Sequence, residues 1–319
     1  MKTWETGRAS AAIVVLILLE VVGAWPAEAA GPDATLGAAR AAIRAANYEP
    51  GLTLLNEFLS KNSGEAMGWC LKGEIQTRMN DVAGAQKSFE RAMEIDANSI
   101  CALVGKANAI ALSGDKNGSL ALLQRAISME PKTPYEYLAR GAAQRGLDRY
   151  QEAIADYDAA IKKDAAFAEA HLNKGMVYWH NGSYGEALPC FSEAIHIDPN
   201  YVEALTNRGA AYRKTGDIEL AISDYSKAIS INPNDAMTFY NRGVAYQKQQ
   251  ANEKAIEDFS AAVRLKPQYP EAYLNRGVAY LMTGKNAEAK KDFDTVISQD
   301  PSGEAGRKAR MGLQQLGNL

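Results

Sequence analysis

The sequence is poor in the residues that build metal sites and disulfide frameworks. Cysteine occurs three times in 319 residues, at Cys70, Cys101 and Cys190, and histidine three times, at His171, His180 and His196. There is no CxxC pair, and the histidines do not cluster with the cysteines, so neither a zinc site nor a cystine scaffold is expected. Each cysteine is accommodated as a small apolar residue on a helix. The net charge is only −3 and no block of Lys or Arg occurs. That argues against a nucleic-acid binder, which needs a clustered basic face. Also missing are a nucleophile elbow, a phosphate loop, an HExxH and a pair of carboxylates isolated in an apolar setting. No enzyme, metal or cofactor is therefore expected. A hydrophobic content of 47% and a charged content of 23% are ordinary for a folded chain.

Long apolar runs are confined to the first thirty residues. Lys2 and Arg8 precede Ala11–Leu19, an uninterrupted apolar run. Glu20 and a second patch, Val21–Trp25, follow, and then Pro26 and the small-x-small triplet Ala27-Glu28-Ala29. This order predicts a secretory signal peptide over residues 1–29, cleaved near Ala29. The run falls short of a span of about 20 apolar residues. An exported protein is the expectation, periplasmic or secreted if the host is bacterial, with membrane attachment only if the segment is retained.

What the remainder has in abundance is self-similarity. Gly73, Gly141, Gly175, Gly209, Gly243 and Gly277 lie 34 or 68 residues apart, and Ala107 fills the one gap. Twelve residues after each comes a small residue: Ala85, Ser119, Ala153, Ala187, Ala221, Ala255 and Ala289. Four further on stands Phe89, Leu123, Tyr157, Phe191, Tyr225, Phe259 or Phe293. Pro131, Pro199, Pro233, Pro267 and Pro301 close the units, with Ala97 and Ala165 in the two remaining places.

The physical content of this pattern is a pair of short amphipathic helices, each marginal alone. Small residues at the eighth and twentieth positions allow close helix approach, and aromatic residues fill the space beside that contact. Gly114, Gly182, Gly216 and Gly284, at the fifteenth position, suit a left-handed helix end. The closing proline stops the second helix.

These residues resemble the tetratricopeptide repeat, in which a large residue, Gly, Tyr, Ala, an aromatic, Ala and Pro recur in this order over 34 residues. The resemblance covers about five-sixths of the chain. It implies an all-α fold, a right-handed α–α superhelix of about eight helix–turn–helix units. Seven units begin at residues 66, 100, 134, 168, 202, 236 and 270. Residues 32–65 form a degenerate first unit, expected to fray because Gly51 replaces the usual Ala. Residues 304–319 form a capping helix and tail over the last apolar face.

The resemblance further implies that first helices line a concave groove that holds a protein or peptide partner. Asn173, Asn207, Asn241 and Asn275 recur at one groove position in four successive units. A carboxamide presents a donor and an acceptor, so such a row can hold an extended backbone. Trp179, Arg213, Tyr240 and Leu274 are the other groove residues expected to contact a ligand. The known clamp for a C-terminal carboxylate is not matched, because Leu172, Thr206, Tyr240 and Leu274 occupy the position where it needs lysine. Arg208, Arg242 and Arg276 are expected to pack their stems along the helices with guanidinium groups at the surface. Cys70 and Cys101 face the groove on adjacent units, and a bond between them is left open. A scaffold that binds an extended peptide is the main expectation, and an envelope assembly subunit using its convex face is the alternative.

Overall fold

The computed structural model describes residues 32–317, and the apolar N-terminal segment with its expected cleavage site lies outside them. Seventeen helices of 12–14 residues and no strand are found among the described residues. The first pair is α1 (Pro32–Arg44) with α2 (Tyr48–Lys61), followed by α3 (Ala66–Arg78) with α4 (Val82–Ile95). Then come α5 (Ile100–Leu112) with α6 (Lys116–Ile127), and α7 (Pro134–Gly146) with α8 (Tyr150–Lys163). The second half holds α9 (Ala168–His180) with α10 (Tyr184–Ile197), and α11 (Val202–Thr215) with α12 (Ile218–Ile231). It ends with α13 (Ala236–Lys248) and α14 (Asn252–Leu265), α15 (Pro270–Met282) and α16 (Asn286–Gln299), and a single last helix, α17 (Glu304–Gly317). The pairs stack into a right-handed α–α superhelix.

The glycine at the eighth position makes room for an aromatic ring. A Cβ at Gly243 would stand 2.7 Å from the Phe259 ring, and one at Gly277 2.7 Å from Phe293. The rings of Tyr157, Phe191, Tyr225, Phe259 and Phe293 are wholly buried as a result. Where the third unit carries Ala107 instead of glycine, its partner is the slimmer Leu123, so the volume of the pair is kept. In the first unit Gly51 is buried, and a Cβ there would stand 2.9 Å from Ile75 and 3.1 Å from Ala42. The missing methyl brings α2 closer to its neighbours and leaves no gap.

Every unit turns between its helices through one left-handed residue. Four are the glycines 114, 182, 216 and 284, and the others are Ala46, Asn80, Asp148 and Gln250. A side chain in this conformation costs roughly 1–2 kcal/mol. Gln250, at φ 61°, is exposed and makes no side-chain hydrogen bond among the described residues. Gln250→Gly is therefore expected to stabilise the chain by about 1 kcal/mol, read as a higher urea midpoint. An unchanged or lower midpoint would contradict this.

A clamp repeated along the array ties units to the ones before them from the third unit onward. In the seventh unit Arg242 donates from Nε and Nη2 to the two carboxylate oxygens of Asp258, at 2.8 and 2.7 Å. Its Nη1 donates to Ser226 Oγ of the preceding unit at 3.0 Å. Arg208 with Asp224 and Ser192, and Arg276 with Asp292 and Ser260, repeat the arrangement. Arg140 with Asp156 does so too, except that its Nη1 finds the Met129 carbonyl. This corrects the sequence expectation for Arg208, Arg242 and Arg276. Their side chains are about four-fifths covered, and each guanidinium pairs with an aspartate side chain no more than 8% exposed. A bidentate charge-assisted pair is the arrangement that makes such burial tolerable. Two units use a lysine in the same place and reach back to an acid of the unit before, Lys174 to Asp158 and Lys106 to Glu90.

Candidate functional site

The concave face falls into two unlike halves. In the N-terminal half, α1, α3, α5, α7 and α9 surround a cavity of about 390 Å³. Its floor along α7 is Leu138, Ala139 and Ala142, and the neighbouring α9 adds Leu172, Asn173 and Met176 to the lining.

This half of the groove is bridged by the chain's own charges. From the last turn of α1, Arg44 donates to Glu169 of α9 at 2.8 Å and to Asp198 just beyond α10. From the end of α3, Arg78 donates to Glu203 of α11 at 2.8 Å and lies 3.5 Å from Glu74 of its own helix. The guanidinium of Arg40 stacks on the Tyr135 ring, 3.7 Å from its centroid. Burial works against the Arg44 charge, but Glu169 and Asp198 outweigh it and hold the group above the usual arginine value. Burial also opposes the Arg78 charge, and Glu203 and Glu74 together reverse that effect. For Glu74, burial raises the carboxyl above its usual range and Arg78 pulls it back in part. Units one and two thus close on units five and six.

The cysteines lie in the same region. Cys70 and Cys101 are free thiols, one near Ser99 Oγ at 3.9 Å and the other donating to the Tyr135 carbonyl at 3.5 Å. Burial pushes the Cys70 thiol up to about 12 and raises Cys101 well above its ordinary value. Neither thiol is activated as a nucleophile.

Among the described residues the C-terminal half shows no such bridge, and the expected ligand residues, Asn173 and Trp179 on α9 and the others beyond it, differ in what they have left to offer. Asn173 donates to the Glu169 carbonyl of its own helix at 2.8 Å. Asn275 donates to the Tyr240 hydroxyl at 3.0 Å. Asn207 and Asn241 are half-buried and make no side-chain hydrogen bond among the described residues. Tyr240 also packs its ring 5.0 Å from that of Tyr269, and Trp179 lies 4.8 Å from Tyr184. Leu274 is half-buried against the Phe293 cluster. Arg213 sits beside the buried Tyr225 hydroxyl, with its Nε lacking an acceptor among the described residues. Trp179, Tyr240 and Leu274 are thus committed largely to packing, whereas Asn207, Asn241 and Arg213 keep free hydrogen-bonding capacity.

The bridge itself was missed by sequence reasoning. It follows a register: Arg44 to Glu169 and Arg78 to Glu203 are both 125 residues apart. The next pair at that offset is Leu112 and Met237, which are 61% and 59% exposed. The two charged pairs are closed, and the residues at the next offset are apolar and exposed.

Among the described residues no group of three or more His, Cys, Asp or Glu could hold a metal ion. No described helix is long and apolar enough to cross a membrane.

Comparison with known proteins agrees with this geometry. Models described as "TPR repeat" or "Tetratricopeptide repeat" match residues 68–99, 138–202, 190–223, 210–250, 248–284 and 271–303. No curated protein matches the chain. Among solved structures, a crystal structure of MamA protein is 26% identical with a TM-score of 0.50, covering 53% of this chain and 92% of its own. A MamA from Desulfovibrio magneticus RS-1 is 24% identical with a TM-score of 0.49, covering 55% of this chain and 99% of its own. The crystal structure of the APC/C hetero-tetramer Cut9-Hcn1 shares the fold at 17% identity and a TM-score of 0.57, covering 84% of this chain and 52% of its own. The repeat matches together span more than half of the sequence and coincide with the stacked helix pairs, and the chain belongs to the tetratricopeptide-repeat family.

Proposed function

We propose that the protein is an exported interaction scaffold that holds an extended polypeptide segment of a partner in the open, C-terminal half of its concave face. The observation that carries this reading is the pair Asn207 and Asn241, with unused donors and acceptors one repeat apart on a groove whose other half is bridged by its own side chains. The exposed Met237, in the same half, supports it, because a large apolar side chain left in solvent favours contact with a partner. The solved neighbour Cut9-Hcn1 is a complex of two proteins, which agrees with a scaffold role and says nothing of the partner here.

The double substitution Asn207→Ala with Asn241→Ala is expected to weaken partner binding at least tenfold, about 1.4 kcal/mol, while the thermal melt stays in place. Partner capture from the native compartment followed by titration measures this. Unchanged affinity would reject the groove reading, and loss only on convex-face substitution would favour an assembly subunit. Export rests on the order of charged, apolar and small residues over Met1–Ala30. Mass spectrometry of the mature protein is expected to find a new N-terminus near Ala30, and a start at Met1 would reject cleavage.

A further inference from the structure

We propose that the bridged cavity in the N-terminal half is a binding site for a small amphiphilic anion, with Arg40 as the headgroup contact and the α7 floor as the apolar contact. This goes beyond the peptide reading, uses other residues, and stands or falls separately from it.

Each carboxylate that lines the cavity already has a cation: Glu169 has Arg44, and Glu203 and Glu74 share Arg78. Arg40 lines the same cavity and has no carboxylate within ion-pair distance among the described residues. Its Nε is buried with no acceptor among those residues. A buried charged donor without an acceptor is costly, and the cost is relieved when a ligand brings the acceptor. Stacking on Tyr135 fixes the guanidinium plane and leaves its edge free. That edge is the geometry that grips a carboxylate through two parallel N–H bonds.

The rest of the cavity has the complementary character. From Tyr135 the floor continues along α7 through Leu138, Ala139 and Ala142, small or apolar side chains that leave a trough. A volume of about 390 Å³ lies in the range that holds a small molecule. The two arginine bridges span the groove at this point, which favours a short ligand over a polypeptide threading through. A monocarboxylate with a medium-length alkyl or aryl body meets all three conditions.

Isothermal titration of the full chain with sodium octanoate tests the proposal, with octylammonium chloride and sodium acetate as controls for charge and apolar body. Octanoate is expected to bind at least tenfold more tightly than either control. Arg40→Gln is expected to weaken octanoate at least tenfold, and Ala142→Phe, which fills the trough, is expected to abolish binding. The Asn207→Ala, Asn241→Ala double variant is expected to bind octanoate as the parent does, which separates this site from the peptide groove. Should Ala142→Phe prevent folding, Arg40→Gln decides alone, since it removes the guanidinium that would hold the headgroup and no core volume. Absence of octanoate binding, equal binding of octylammonium, or undiminished binding by Arg40→Gln would each overturn the proposal.

Discussion

Replacing Asp258 with alanine is expected to destabilise the protein by about 3–5 kcal/mol, the cost of breaking a buried ion pair by removing one partner. Asp258 is 4% exposed and accepts both the Nε and Nη2 donors of Arg242. Alanine leaves the Arg242 side chain held on α13, four-fifths covered, with Ser226 as its remaining side-chain hydrogen-bond partner. The arginine must then stay desolvated without its charge partner or move out and abandon the serine of the preceding unit. Either way the joint between the sixth and seventh units weakens. Because a solenoid is a sum of units and nearest-neighbour interfaces, the loss should appear as an earlier, separate transition of the last units in urea. Circular dichroism, together with hydrogen exchange of α13 to α16, measures it. Asp258→Asn keeps one acceptor and should cost less. Arg242→Met with Asp258→Leu should recover much of the loss, since apolar replacement of both partners is often neutral. A single-site loss below about 1 kcal/mol would show that the clamp is a surface pair in energetic terms.

That clamp also shows what the sequence made legible and what it did not. The repeat period was visible because Gly243 and Phe259, and their equivalents, are a steric requirement met at one offset in every unit. The fate of Arg242 was not, because Asp258 lies sixteen residues away on another helix, outside the spacing at which helix-surface pairs are sought. A signal existed: arginine at 140, 208, 242 and 276 always accompanies aspartate at 156, 224, 258 and 292, whereas Lys174 stands with Cys190.

The groove was less legible still. The asparagines form a row in sequence, yet Asn173 and Asn275 are engaged by Glu169 and Tyr240. Whether a carboxamide stays free depends on its neighbours across helices, which a repeat pattern does not encode. The bridge of Arg44 and Arg78 depends on the small rotation between units, summed over four of them. No local pattern holds that sum, and the 125-residue offset becomes meaningful only once the superhelix is known.

Ending the chain at Ser302 removes α17 and is expected to make the protein associate more than the full chain does, with its last unit melting early. Phe293 and Val296 are wholly buried, and α17 supplies part of their cover through Ala305, Ala309, Leu313 and Leu316. The helix is seated closely: a Cβ at Gly312 would stand 2.7 Å from the Phe293 ring. Its start is fixed by Asp300, whose carboxylate accepts the backbone N–H groups of Gly303, Ala305 and Gly306. Truncation would expose the face of α16 that every other second helix hides against a following unit. Burial of one large apolar side chain is worth about 1.5–3 kcal/mol, and several are uncovered at once, so a pair of helices of 13 and 14 residues has little to hold it together. Light scattering after size exclusion, with a melt followed at 222 nm, measures both effects at matched concentration. Ala309→Glu in the full chain is the companion variant, because it places a charge in the same contact without shortening the protein. A truncated chain that associates no more than the parent and melts with it would mean that α16 is stable on its own pair contacts, and that α17 contributes surface and not cover.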